Sequence, residues 1–259
     1  MMRQLIWTAL IAVTGMWAQE PAPPGRGYVN QIASGGGWKT TLTLFNPTSS
    51  QGQVSVVFRA DDGSALSLPL AVTQGGARQT GTGSEVSRTI QPLATLVIES
   101  EAPAGSGVLT GWAEVVSYTR ITGSAIFSQT GADGRSVEAI CPVDYNVLPS
   151  MVVPFDNRQG AATGVALVNP TNDQVNLIVR SRNENGIELG QSRLMLPPRG
   201  HAAFVIGDQL PSIAGQQGTV EFVSPVAGLL TGLGLRFSAS GGFTSVPVVH
   251  LSVPLATQP

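Results

Sequence analysis

The sequence predicts an all-β protein built as two tandem antiparallel β-sandwich domains. Three observations carry that expectation. Apolar side chains recur with a period of two, turn dipeptides punctuate the chain about every ten residues, and the second half of the chain repeats the first.

The period is clearest in Lys39–Phe45, where Leu42 and Leu44 share one face and Thr41 and Thr43 the other. Val54, Val56 and Phe58 alternate with Ser55 and Val57, and Val175, Leu177 and Val179 do the same later. Asp62-Gly63, Asn185-Gly186 and Asp133-Gly134 read as hairpin turns, because glycine accepts positive φ and Asp or Asn nearly does. No segment has helical periodicity over ten residues; Asp208–Ala214 has room for one turn.

The repeat aligns Gly27–Thr48 with Ser150–Thr171 without a gap. Identities fall at Val29/Val152, Gly37/Gly160, Thr40/Thr163 and Leu44/Leu167, ending in Asn46-Pro47-Thr48 against Asn169-Pro170-Thr171. Farther on Glu114 meets Glu221, Thr122-Gly123 meets Thr231-Gly232, and Pro142 meets Pro247. Each copy has the size of an independent domain, about 100–150 residues. Short strands at this spacing in two copies predict immunoglobulin-like sandwiches over 27–147 and 148–259, arising by internal duplication. A membrane β-barrel is the competing architecture, but aromatic residues are only 6% of the chain, too few for two interfacial girdles.

Ahead of the first copy, Arg3 and the apolar run Leu5–Trp17 read as an export signal with cleavage after Ala18. The run is too short to span a bilayer as a helix. Residues 19–26 (QEPAPPGR) are a Pro-rich lead-in. The expected localisation is therefore periplasmic, cell-surface or secreted, with no integral membrane segment after cleavage.

Composition removes several functions. A net charge of -2 with no basic run argues against nucleic-acid binding by phosphate neutralisation. One Cys and two His exclude a disulfide framework and a Cys/His zinc site. Cys141, inside an apolar run, reads as a small buried hydrophobe rather than a reactive thiol.

Two stretches carry a resemblance. Gly35-Gly36-Gly37-Trp38-Lys39-Thr40 followed by Asn46-Pro47 resembles the opening of a module of secreted bacterial proteins, and Val153-Pro154-Phe155-Asp156-Asn157 fits the opening of a second copy. Gly232-Leu233-Gly234-Leu235-Arg236-Phe237, then Gly242-Phe243-Thr244-Ser245-Val246-Pro247, resembles its close. The resemblance implies a tandem β-sandwich with no assigned activity and no catalytic residues to carry over. The first copy departs from the closing motif, with Ser124-Ala125-Ile126-Phe127 where the second has Leu233-Gly234-Leu235-Arg236.

Motifs for chemistry are sparse. The chain has no Gly-x-Ser-x-Gly elbow, P-loop or dinucleotide fingerprint. His201 and His250 read as exposed strand-end histidines, and Asp61-Asp62-Gly63 as a solvated hairpin tip rather than a calcium loop. No catalytic, metal or cofactor residues are assigned. Four residues are candidates for ligand binding: Trp112, Glu114, Trp38 and Glu221. With Val220 and Phe222 facing the core, the register turns Glu221 outward, and Trp112 and Glu114 likewise. An aromatic ring beside a carboxylate on a sheet face suits a sugar; alternatively Glu221 meets an arginine such as Arg236, and Trp112 fills the space between copies. Trp38, where a Gly-rich loop enters a strand, suits a cap on one end of the core.

The expected function is an exported non-catalytic structural or interaction protein, serving adhesion or assembly, with protein partners or self-association through sheet edges. The alternatives are a carbohydrate-binding protein and, behind it, an extracellular hydrolase whose carboxylate pair is assembled from separate strands.

Overall fold

The computed structural model describes residues 25–103, 105–225 and 229–255. The expected export signal and most of the Pro-rich lead-in lie outside them. Among the described residues the chain is all-β, with a single short helix α1 (Ile206–Gln209) and a 3-10 turn at Pro211–Ile213 where one helical turn was expected.

The first half contributes β1 (Gly25–Ser34), β2 (Trp38–Phe45), β3 (Gly52–Ala60), β4 (Leu68–Gln74) and β5 (Ala77–Gly83). It continues with β6 (Glu85–Ile90), β7 (Thr95–Ser100), β8 (Leu109–Ser117), β9 (Thr122–Thr130) and β10 (Ser136–Pro142). The second half contributes β11 (Ser150–Asp156), β12 (Ala162–Val168), β13 (Val175–Asn183), β14 (Glu188–Leu196) and β15 (His201–Val205). After α1 come β16 (Gln217–Val223), β17 (Thr231–Phe237), β18 (Phe243–Val246) and β19 (Val249–Leu251). Gly25 and Arg26, expected in the lead-in, already belong to β1 and pair with Ser117 and Val116.

Four antiparallel sheets result. The first has order β1-β8-β3-β6 and the second β10-β9-β2-β7-β4-β5. The third has order β14-β13-β16-β11-β19 and the fourth β15-β12-β17-β18. Every sheet is open, with two edge strands, so the described strands do not close into a barrel. Two strand orders repeat: β1-β8-β3-β6 corresponds to β11-β16-β13-β14, and β10-β9-β2-β7 to β18-β17-β12-β15. The first half adds the β4–β5 hairpin and the second half adds β19. The Asp62-Gly63 turn closes a short hairpin in which Arg59 bridges Ala65, and the chain then crosses from β3 in the first sheet to β4 in the second.

One apolar core lies between the first and second sheets, with Val54, Val56 and Phe58 facing Leu42, Leu44 and Phe127. Another lies between the third and fourth, with Met151, Leu177 and Phe222 facing Val165 and Leu167. Strands with one wet face keep the alternation of the sequence, as β2 does. The strands β12 and β17 do not: they are buried almost without interruption. The reason is that the fourth sheet is covered on both faces, as continuous apolar runs require. Val165 and Leu167 enter the second core, while Ala166, Leu233 and Leu235 join the core of the first half.

The Gly-Leu-Gly-Leu closing motif follows from this double burial. A Cβ on Gly232 would stand 2.9 Å from Met151 Cε, and one on Gly234 would stand 3.0 Å from Val153. The glycines let the fourth sheet approach the third, while the alternate Leu233 and Leu235 face the first half. In β9 the positions matching those leucines are Ser124 and Ile126, and Ile126 is 42% exposed, because that face of the second sheet meets solvent.

Candidate functional site

Of the four ligand-binding candidates, Trp112, Glu114 and Glu221 are buried and Trp38 is half-buried. Trp112 (0% exposed) and Glu114 (3%) lie on the outer face of the first sheet, as their register requires, but the second half covers that face. The expectation of an outward-facing Trp/Glu platform fails for this reason, and no ring face of Trp112 is open to a sugar. Trp112 Nε1 donates to the carbonyl of Arg199 at 2.9 Å, and Arg59 stacks its guanidinium 5.9 Å from the indole centroid. Tyr28 packs beside Trp112 with ring centroids 6.0 Å apart, and Val168 completes the cluster. Glu114 is paired with Arg26 of β1 and lies 3.5 Å from Arg199 Nη1.

Glu221, expected outward, is fully buried. Its carboxylate receives Arg182 Nη1 at 3.2 Å, Ser150 Oγ at 3.1 Å and the backbone N–H of Leu255 at 2.6 Å. Arg182 on the adjacent strand β13, rather than Arg236, is its partner, and the C-terminal segment crosses the outer face of the third sheet to cover it. Trp38 is half-buried at the joint, its ring 6.2 Å from Phe127 and 5.6 Å from Phe243 of the second half. Lys39 pairs with Glu99 at 2.6 Å. The four candidates therefore do not converge: Trp112 and Glu114 lie together, with Trp38 and Glu221 elsewhere.

What the fold does bring together is a set of polar ties across the junction. His201 is 3% exposed rather than a free strand end, and its Nδ1 lies 2.8 Å from Asp61 Oδ1. The Asp61-Asp62-Gly63 turn is correspondingly not a free tip. Gly63, at φ 86°, sits so close to the second half that a Cβ there would be 2.2 Å from the carbonyl oxygen of Pro198. Arg199, at φ 55°, occupies the left-handed region that disfavours side chains. Its N–H bonds to the carbonyl of Thr171 at 2.8 Å while its own carbonyl receives Trp112.

A second tie surrounds Asp144. His250 Nε2 lies 2.7 Å from Asp144 Oδ2, and the His250 side chain is 9% exposed, so it too is not a free tail residue. Thr231 donates to Asp144 at 2.9 Å and accepts from Asn30 Nδ2 at 3.2 Å. Burial works to raise the Asp144 carboxyl, but hydrogen bonds from His250, Asn146 and Thr231 outweigh it and hold the group below the ordinary range. A cleft of about 550 Å³ opens beside this cluster, lined by Val143, Leu233 and Val246 among others.

These groups pair largely with one another, although His201 Nε2 and His250 Nδ1 are buried without a hydrogen-bond partner among the described residues. Cys141, which borders the same cleft, is fully buried, and burial pushes its thiol up to about 12, leaving it neutral and unreactive. The Thr231 hydroxyl spends its proton on a carboxylate, not on a histidine base. Among the described residues, no three His, Cys, Asp or Glu side chains converge as a metal ion needs.

The Asn-Pro-Thr repeat, quoted in the sequence only as an alignment anchor, marks a structural device. Asn46 is fully buried; its amide donates to the carbonyls of Ser50 at 2.8 Å and Ile90 at 3.0 Å. Its Oδ1 accepts from Thr48 Oγ1 at 2.7 Å. Asn169 does the same to Asp173 and Pro197, both at 2.7 Å, and accepts from Thr171 Oγ1 at 2.7 Å. The signal was legible as a repeated buried-polar motif after a strand. Comparison with known protein families matches none, and no curated protein is similar to the chain in sequence.

Proposed function

We propose that this chain is an exported, non-catalytic structural or interaction protein made of two immunoglobulin-like sandwiches, 27–147 and 148–259, that arose by duplication. One observation carries the reading: the polar residues that the two halves share are spent on internal ties. Glu114, Glu221, Asn46 and Asn169 are all buried and hydrogen-bonded to strands or to the other half. The repeated strand orders and the aligned Asn-Pro-Thr motifs support the duplication. Export to the periplasm, cell surface or medium rests on the Arg3–Ala18 segment of the sequence.

Protein contacts, including contacts with a second copy, are assigned to sheet edges. The edge strand β5 pairs only with β4 and is exposed along nearly its whole length. Such an edge offers backbone groups to an incoming strand, and lysine is the usual natural means of blocking it. The test is light scattering of the mature protein over a range of concentration, beside a Thr80→Lys/Thr82→Lys variant. Association that the variant abolishes supports edge pairing; a concentration-independent monomer removes self-assembly. Mass spectrometry of the protein exported by a bacterial host tests the first part, with a new N-terminus at Gln19 expected and an intact Met1 terminus overturning it.

A further inference from the structure

Aromatic side chains of the described residues are nearly all internal, with two exceptions. Tyr118 is 63% exposed and Tyr145 is 44% exposed, and both border one cleft of about 460 Å³ at the end of the first pair of sheets. That volume falls within the range of small-molecule sites, about 300–1,000 Å³. The cleft is built, not incidental. Ile121 is 1% exposed and roots the 118–121 loop in the core. Ser117 Oγ donates to the carbonyl of Gln53 at 2.6 Å and accepts from the N–H of Thr119 at 3.2 Å. The Tyr145 hydroxyl donates to the carbonyl of Ile121, which fixes its ring. Gly27 makes room for that ring, since a Cβ there would stand 2.8 Å from Tyr145 Cζ.

A second groove of about 520 Å³ runs from Tyr118 along the part of the first sheet's outer face that the second half leaves uncovered, past Ser55 and Thr89 to Arg88. Tyr118 thus borders both hollows and is the lining residue they share. Their linings contain two cations, Arg120 and Arg88, and no carboxylate. Glu85 accepts from Ser55 and Ser87 at 2.7 and 3.0 Å but stays outside the linings. Arg88 is held by Gln79 at 2.9 Å. Arg120 is exposed, and no carboxylate pairs with it among the described residues.

We infer that the Tyr118–Tyr145 cleft and its continuation to Arg88 bind an acidic glycan, a uronate-containing chain whose ring stacks on Tyr118 and whose carboxylate meets Arg120. An exposed tyrosine offers the apolar ring face that a pyranose packs against, with low ordering cost. Ser55 and Ser87 are engaged with Glu85, which leaves the Thr89 and Thr122 hydroxyls to meet those of a sugar. The unpaired guanidinium in a lining without carboxylates selects for negative charge. The Tyr118–Tyr145 cleft is separate from the β5 edge and from the buried Trp112 and Glu114. Only the far end at Arg88 reaches β5, through Gln79, so the stacking on Tyr118 stands or falls independently of the association reading above.

The test is calorimetric titration of the full chain with trigalacturonate and with a neutral galactose trimer, with the tyrosine ring protons followed by NMR. Trigalacturonate is expected to bind, shift both ring signals, and exceed the neutral trimer about tenfold, as one charge-assisted hydrogen bond would give. Tyr118→Ala is expected to abolish binding, Tyr118→Phe to keep it, and Arg120→Gln to erase the preference for the acidic sugar. Tyr118 is largely exposed, so circular dichroism of these variants should match the parent. Absence of binding to trigalacturonate, equal affinity for the two sugars, or binding that survives Tyr118→Ala overturns the proposal.

Discussion

Asp61 and His201 hold each other at two points: their side chains meet at 2.8 Å and the backbone N–H of His201 donates to the Asp61 carbonyl at 2.9 Å. The two residues are 140 positions apart, one in a turn of the first half and the other at the start of a strand in the second. The other histidine of the chain, His250, is matched to Asp144 across the same junction. Both carboxylates are held below their ordinary range, Asp61 chiefly by its hydrogen bond with His201.

Acid should therefore loosen the junction. A carboxyl with a depressed folded-state pKa contributes stability above its unfolded value, about 3.9, and loses that contribution as pH falls through the folded value. The stability gap between the parent and an Asp61→Asn/Asp144→Asn double variant should be full near about pH 6 and shrink steadily below about pH 4. Urea unfolding across that range measures it, and a gap independent of pH would contradict the assignment.

The buried Arg182–Glu221 pair predicts a strongly non-additive cycle. Arg182→Met leaves a carboxylate unpaired inside the third sheet's covered face and should cost about 3–5 kcal/mol. Replacing both residues, Arg182→Met with Glu221→Leu, should recover most of that loss, because no charge is then left buried. Chemical unfolding of the three variants reads the coupling.

Asn46→Ala and Asn169→Ala should destabilise to a similar degree, about 1–3 kcal/mol each, since each deprives two partly buried carbonyls of their amide donor. Equal effects would match their equivalent bonding. A loss confined to one site would mean that the two loops differ in strain or in access to water.

Leu235→Asp places a charge where the fourth sheet meets the first half, and should separate the halves without dissolving either core. Limited proteolysis is then expected to release a half-length fragment, and Trp112 fluorescence to move toward that of solvated indole. An unchanged digestion pattern would show that the polar ties alone keep the halves together.

Cys141 should resist alkylation in the folded protein throughout the neutral range, because its thiol is neutral and enclosed. Modification only at denaturant concentrations that unfold the first half would agree. Rapid labelling of the native chain would place the thiol at a surface.

The local order of the protein was legible from residue types. Alternation in Val54–Phe58 and Val175–Val179 named the buried face correctly, because each of those strands has one wet side and its side chains sort by contact with water. The same rule named the face of Trp112, Glu114 and Glu221 and still missed their environment. Register tells which side of a sheet a residue is on, whereas what lies on that side is set by elements far away in the chain.

Strand periodicity, turn positions and the recurring Asn-Pro-Thr motif were thus determined by the sequence alone, since each depends on the preferences of a few adjacent residues. The docking of the fourth sheet on the first half was decided only by the tertiary structure. That docking buries Trp112, pairs Asp61 with His201, and leaves Tyr118 and Tyr145 as the exposed aromatic rings among the described residues. No local pattern encodes it, because burial on a sheet's second face depends on the sum of long-range apolar contacts.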